Sequence, residues 1–376
     1  MKEERKKILK LVEDGKLAVD EALFLIEELE KKHDSMEEKK ANLITELSTT
    51  VKSEQRYSGA NEEEARRDES TSQKIHSAVD KFVDFVDTAF KKIKDFDLDF
   101  NFGQSIDITH IFQQGGAYLK DIDIDIANGS IDVIPWDQDD VRIECATKVY
   151  RVESQEEARR KLLEEAIFAI EAQKLRFSSQ QKWMKMDVIV YLPRTDYEKA
   201  RIRLFNGSIT ARNLVVDNFK VKTANGKVSF ENLDCNKLET ETANGHIELM
   251  NSRVDDLEAE TLNGAINAEG TFRRVDLQSF SGSIHCTVSD QACENIEAKT
   301  ATGGIHLVIP QDASPQGELR SNLGQFKLEI DGLEVVEEKS EMVQKFLRFA
   351  AKDESRSPLR IYADSKTGAI SLKKIQ

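Results

Sequence analysis

An Asn-Gly pair followed two positions later by an aliphatic residue returns at a fixed interval through the middle of this chain. Asn206-Gly207-Ser208-Ile209 recurs as Asn225-Gly226-Lys227-Val228, Asn244-Gly245-His246-Ile247 and Asn263-Gly264-Ala265-Ile266, each copy 19 residues after the last. The copies then drift to Ser281-Gly282-Ser283-Ile284, Thr302-Gly303-Gly304-Ile305 and Leu323-Gly324-Gln325-Phe326. Asn128-Gly129-Ser130-Ile131 and Thr367-Gly368-Ala369-Ile370 flank the block. A repeat of this length is one supersecondary unit that cannot bury its apolar face alone, so neighbouring units must stack.

The residues around each Asn alternate. Six before it stand Phe219, Leu238, Leu257, Val275 and Ile296; two before it stand Thr223, Thr242, Thr261, Ser279 and Thr300. Five after it come Ala211, Phe230, Leu249, Ala268 and Cys286. Period two on both sides of the Asn-Gly is a strand signal. A chain of tight hairpins is one reading of Asn-Gly between strands. Hairpins, however, do not require like residues at a fixed interval. A parallel β-solenoid does, because each coil lies about 4.8 Å above the last and identical side chains form ladders. The expected fold is therefore mainly β: a parallel solenoid of 19-residue coils, with Asn-Gly as a corner of positive φ and with Asn and Thr side chains bonded along their columns.

The flanks divide the chain further. Residues 1–33 read as a helical hairpin, with Leu23, Phe24, Ile26 and Leu29 on an apolar face broader than so short a segment can bury. Self-association or docking on a protein partner is expected there. Residues 34–75 are polar and aperiodic, as in a linker. Residues 76–103 form an amphipathic, Phe-rich segment carrying Phe82, Val86, Phe90 and Ile93 at helical spacing. That helix either caps the open end of the solenoid near Ile122, Ile124 and Ile126, or lies on a membrane surface. Residues 104–376 complete the solenoid, with helical insertions expected near 153–172 and 337–353.

Candidate chemistry is sparse. His285 and His306 occupy one outward column about a coil apart and could share a divalent metal, but an exposed polar ladder explains them as well. Glu239, Glu241, Glu258 and Glu260 form a square of carboxylates that could bind calcium or act as an acid/base pair. Lys220 and Lys222 beside them favour a solvated salt-bridge ladder. Four cysteines show neither metal-ligand spacing nor a C-x-x-C pair, so they read as buried, reduced thiols. No phosphate-binding loop, nucleophile elbow or dinucleotide fingerprint occurs, so neither catalysis nor a cofactor is expected. A net charge of −15 without a basic field argues against nucleic acid. The charged N-terminus and the lack of a long apolar run point to a cytoplasmic protein, at most peripheral to the inner face of the membrane.

The Glu3-Glu4-Arg5-Lys6-Lys7-Ile8-Leu9-Lys10 start, the Lys94-Asp95-Phe96-Asp97-Leu98-Asp99-Phe100-Asn101-Phe102-Gly103 stretch and the Thr-Ala-Asn-Gly repeats together resemble the YvlB/LiaX-type family of Gram-positive bacteria. Ala18 departs from the family pattern, which often has a Ser or Thr helix cap there. The resemblance covers nearly the whole chain. It implies a non-enzymatic role in the cell-envelope stress response, through binding peptides or a membrane-bound regulator. The family's repeat domain is catalogued among adhesins, so a surface adhesin exported without a classical signal is the alternative. A carbohydrate-active β-helix enzyme is a third.

Overall fold

The computed structural model describes residues 104–340, 344–352 and 358–375. The helical hairpin expected over 1–33, the linker over 34–75 and the Phe-rich segment over 76–103 lie outside the described residues. The described chain is mainly β. It opens with β1 (Ser105–Gln114), β2 (Asp121–Trp136) and β3 (Val141–Tyr150), followed by one helix, α1 (Gln155–Glu165). Next come β4 (Ile167–Glu171), β5 (Lys174–Ser179), β6 (Met184–Pro193), β7 (Asp196–Asn206) and β8 (Ile209–Arg212). The repeats supply β9 (Val215–Asn225), β10 (Val228–Glu231), β11 (Asp234–Asn244), β12 (Ile247–Asn263) and β13 (Ile266–Ser281). After them run β14 (Ile284–Val288), β15 (Asn295–Thr302), β16 (Ile305–Ile309), β17 (Ser314–Ser321) and β18 (Phe326–Glu329). The last are β19 (Leu333–Ser340), β20 (Lys345–Ala351), β21 (Pro358–Ser365) and β22 (Ile370–Lys374).

The repeat governs the parallel body. Asn206, Asn225, Asn244 and Asn263 face one another across β7, β9, β11 and β12, and all these pairings are parallel. The inward residues six before each Asn, from Ala200 through Phe219, Leu238 and Leu257 to Ile296, are buried. Phe219 meets Phe230 edge-on at 5.5 Å and so joins the two sides of its coil through the core. Each such burial contributes roughly 1.5–3 kcal/mol. The corner amides bond in a column as expected: Asn225 Nδ2 donates to Asn206 Oδ1 at 2.7 Å, and Asn244 to Asn225 at 2.8 Å.

Two details of the corner differ from expectation. The Thr hydroxyls do not bond to one another. Thr223, Thr242 and Thr261 donate instead to the carbonyls of Gly207, Gly226 and Gly245 in the preceding coil, which lie nearer than the next hydroxyl. Positive φ is also not the common reason for glycine. Gly207 has φ 134°, but Gly245 does not lie in the left-handed region. Its constraint is space, since a Cβ on Gly245 would stand 1.9 Å from the Gly226 carbonyl oxygen. The left-handed residues are at the opposite corner, at Asn213, Asn232 and Asn251.

The order of coils is not the order of sequence at either end. Along the stack it runs β5–β6, β2, β7–β8 and β9–β10, and onward to β15–β16, β21–β22 and β17–β18. Both ends are closed by antiparallel strands. β4 covers β5, while β3 and then β1 cover β6. At the other end β20 covers β17, and β19 covers β20. Ile122, Ile124 and Ile126 are therefore interior to the stack and not at an open end awaiting a cap.

The insertions also differ. Helix α1 is started by Ser154, whose side chain accepts from the Glu157 amide at 3.2 Å, and it buries Ala158 and Leu162. It stops at Glu165. Phe168 and Ile170 pack on the core from strand β4, which turns into β5 through Ala172 and Gln173, both at positive φ. Among the described residues 337–340 and 344–352 the expected helix is absent: 337–340 end β19, and 345–351 form β20. Leu347 and Phe349 are buried and Arg348 is exposed, so the period is two, and the open edge of β17 supplies backbone partners.

Candidate functional site

Alternation puts every second residue of the long strands outside, and stacking puts these residues in columns. One column holds Arg201, Lys220, Glu239, Glu258, Asp276 and Glu297, in register from β7 to β15. Beside it, two residues along each strand, run Arg203, Lys222, Glu241, Glu260, Gln278 and Lys299. Cations thus meet carboxylates between adjacent coils. Lys220 pairs with Glu239 at 2.6 Å and Lys222 with Glu241 at 2.8 Å; Lys237 also pairs with Glu239, and Arg203 with Asp125.

The charge balance changes along the face. Burial works against the Glu239 charge, yet Lys220 and Lys237 together bring its carboxyl down to about 2. One coil on, burial and then the Glu239 charge raise Glu258. Further still, burial and then Glu297 push Asp276 up to about 6. Opposed shifts on neighbouring carboxyls can mark an acid/base pair. Here they do not share a cavity. The cleft that Glu239 borders, about 310 Å³, is lined by cations including Lys199 and Arg201 and reaches neither Glu258 nor Asp276.

His285 and His306 stack with ring centroids 4.7 Å apart and planes 17° off parallel. His306 Nδ1 lies 2.8 Å from Ser371 Oγ, because β22 is the next strand in the stack. Burial, then His285 and Lys373, lower the His306 pKa. Among the described residues no three His, Cys, Asp or Glu side chains are grouped to hold a metal. All four cysteines are buried free thiols, and burial pushes Cys145, Cys235 and Cys293 up to about 12. Thiols held so far above neutrality are not nucleophiles.

The structure brings together Asn206, Gly207, Asn225, Gly226, Asn244, Gly245, Asn263 and Gly264 as one corner ladder. Leu23, Phe24, Ile26 and Leu29, and Phe82, Val86, Phe90 and Ile93, lie outside the described residues. Missed by the sequence reading was the second corner ladder, in which Asn232 Nδ2 donates to Asn213 Oδ1 at 3.0 Å. Its signal was an Asn seven residues after Asn206, Asn225 and Asn244. No helix among the described residues is long and apolar enough to cross a membrane.

A mainly parallel β body with ladders, closed ends and charged outer columns defines a class of stacked-coil β domains. Residues 119–353 match the family described as Toastrack DUF4097, and residues 3–33 match a SHOCT-like domain. The chain belongs to the Toastrack family. It is 45% identical over 374 residues to the uncharacterized protein YvlB of Bacillus subtilis, covering 99% of each chain. Among solved structures it is similar to a "putative adhesin" of Bacteroides fragilis, with a TM-score of 0.37 and 14% identity over 71% of this chain and 97% of that one. A "putative cell adhesion protein" of Clostridium sporogenes gives a TM-score of 0.26 and 11% identity over 72% of this chain and 100% of that one.

Proposed function

We propose that this chain is a non-enzymatic scaffold or regulatory binding protein of the bacterial cell-envelope stress response, acting at the inner side of the membrane. Its ladder face binds a protein or peptide, and its N-terminal segment supplies self-association or a docking contact. The observation that carries the reading is the pair of outward columns from β7 to β15, where charges stand in fixed register on a rigid sheet. A face whose side chains are ordered before binding loses little entropy on contact. The family resemblance supports the envelope-stress part, and the apolar stripe Leu23, Phe24, Ile26 and Leu29 supports the docking part.

The test is a pull-down of full-length protein from envelope-stressed, fractionated cells. Wild type is compared with a Glu258→Lys/Asp276→Lys ladder variant and with a deletion of residues 1–33. Each change should remove a distinct set of partners. Unchanged partner sets for both variants would reject the binding reading. Protein recovered only outside the cell would move the assignment to a surface adhesin.

A further inference from the structure

The cleft over Asn218 has an unusual balance. Asn218 stands in an outward column between Lys199 and Lys237, so a short side chain is flanked by two long ones. This leaves a dent of about 310 Å³, lined at its base by the buried Ile122, Ala200 and Phe219. Around it stand Lys174, Lys199, Arg201, Lys220 and Lys237. The opposing carboxylates are Asp121, Asp123 and Glu239, so five cations meet three anions and the lining carries a surplus of two positive charges.

Most of those cations are committed. Lys174 Nζ lies 2.8 Å from Asp123 Oδ2, while Lys220 and Lys237 both close on Glu239. The side chains of Lys199 and Arg201 make no ion pair or hydrogen bond among the described residues. Arg201 acts on Asp125 only through space, and it is Arg203 that contacts that carboxylate.

We infer that this cleft binds an acidic peptide segment, with a ligand carboxylate held by Lys199 and Arg201. The inference rests on the ladder-face reading above and names the ligand class for one part of that face. A guanidinium and an ammonium together match one or two carboxylates. A run of phosphates would bring more negative charge than the surplus of two against the carboxylates already there, whereas a short acidic peptide matches that surplus with one or two carboxylates.

The experiment measures fluorescence anisotropy of a fluorescein-labelled, end-blocked hexapeptide of alternating glutamate and leucine on the full-length protein. Its glutamine counterpart and inorganic phosphate are the controls. The glutamate peptide should bind, and a Lys199→Gln/Arg201→Gln variant with unchanged melting temperature should bind it about tenfold more weakly. The glutamine peptide should also bind more weakly, and millimolar phosphate should displace little. Equal affinity in the variant, no binding to wild type, or ready displacement by phosphate would each overturn the inference. If the pull-down partners survive the Lys199→Gln/Arg201→Gln change, the cleft is wrong and the ladder face stands. If peptide binding persists but the ladder variant keeps every partner, the wider reading fails instead.

Discussion

One methyl group at Gly245 would stand 1.9 Å from the Gly226 carbonyl oxygen, and the obstructing atom is backbone locked in the ladder. Gly245→Ala should therefore cost on the order of 3 kcal/mol, read as a lowered thermal midpoint. Gly115→Ala, where nothing lies within 4 Å, should leave the midpoint nearly unchanged. Equal midpoints for both variants would contradict the crowding. A second residue-scale expectation concerns Asp276, raised to about 6 by burial and then by Glu297. A carboxyl whose folded pKa exceeds its unfolded value favours folding while protonated. That contribution is complete below about pH 4 and is lost as pH rises through about 6. Asp276→Asn should stabilise the protein by on the order of 1–3 kcal/mol at pH 8 and by little at pH 4. Denaturation at the two pH values reads the difference, and a flat response would reject the assignment.

Among the elements, those set by local alternation were legible in the sequence. The inward columns from Phe219 to Ile296 and the register of the corner Asn residues follow from period and spacing alone. The Lys220–Glu239 ladder followed too, because side chains 19 residues apart must be neighbours once coils stack. Elements set by what lies across from them were not. Glu337 and its charged neighbours look helical in isolation, yet β19 forms because β20, itself paired on β17, presents an unpaired edge. The hairpin between β4 and β5 turns on Ala172 and Gln173 at positive φ, residues with no turn signature. The cleft was likewise invisible. It needs Lys174 and Asp123 from strands far from the repeat, and sequence spacing does not bring them to Lys199.

For the whole molecule, the stack order makes the two chain ends of the β body structural in an unusual sense. β21–β22 carries hydrogen bonds to β15–β16 on one side and to β17–β18 on the other. Ending the chain at Lys352 therefore removes an interior layer and not a terminal one. The buried Ile361, Ala363, Ile370 and Leu372 go with it, and two parallel edges lose their partner. The truncated protein should melt well below wild type and be cut by protease within 314–352, whereas an unaltered melt and digest would contradict the threading. The same arrangement bears on synthesis. On a ribosome, β17–β20 emerges before β21–β22, which it must sit beside, so that end of the stack stays open until β22 has emerged. Closure of that layer thus waits on β21–β22, and a product ended before them leaves bare strand edges on β15–β16 and β17–β18.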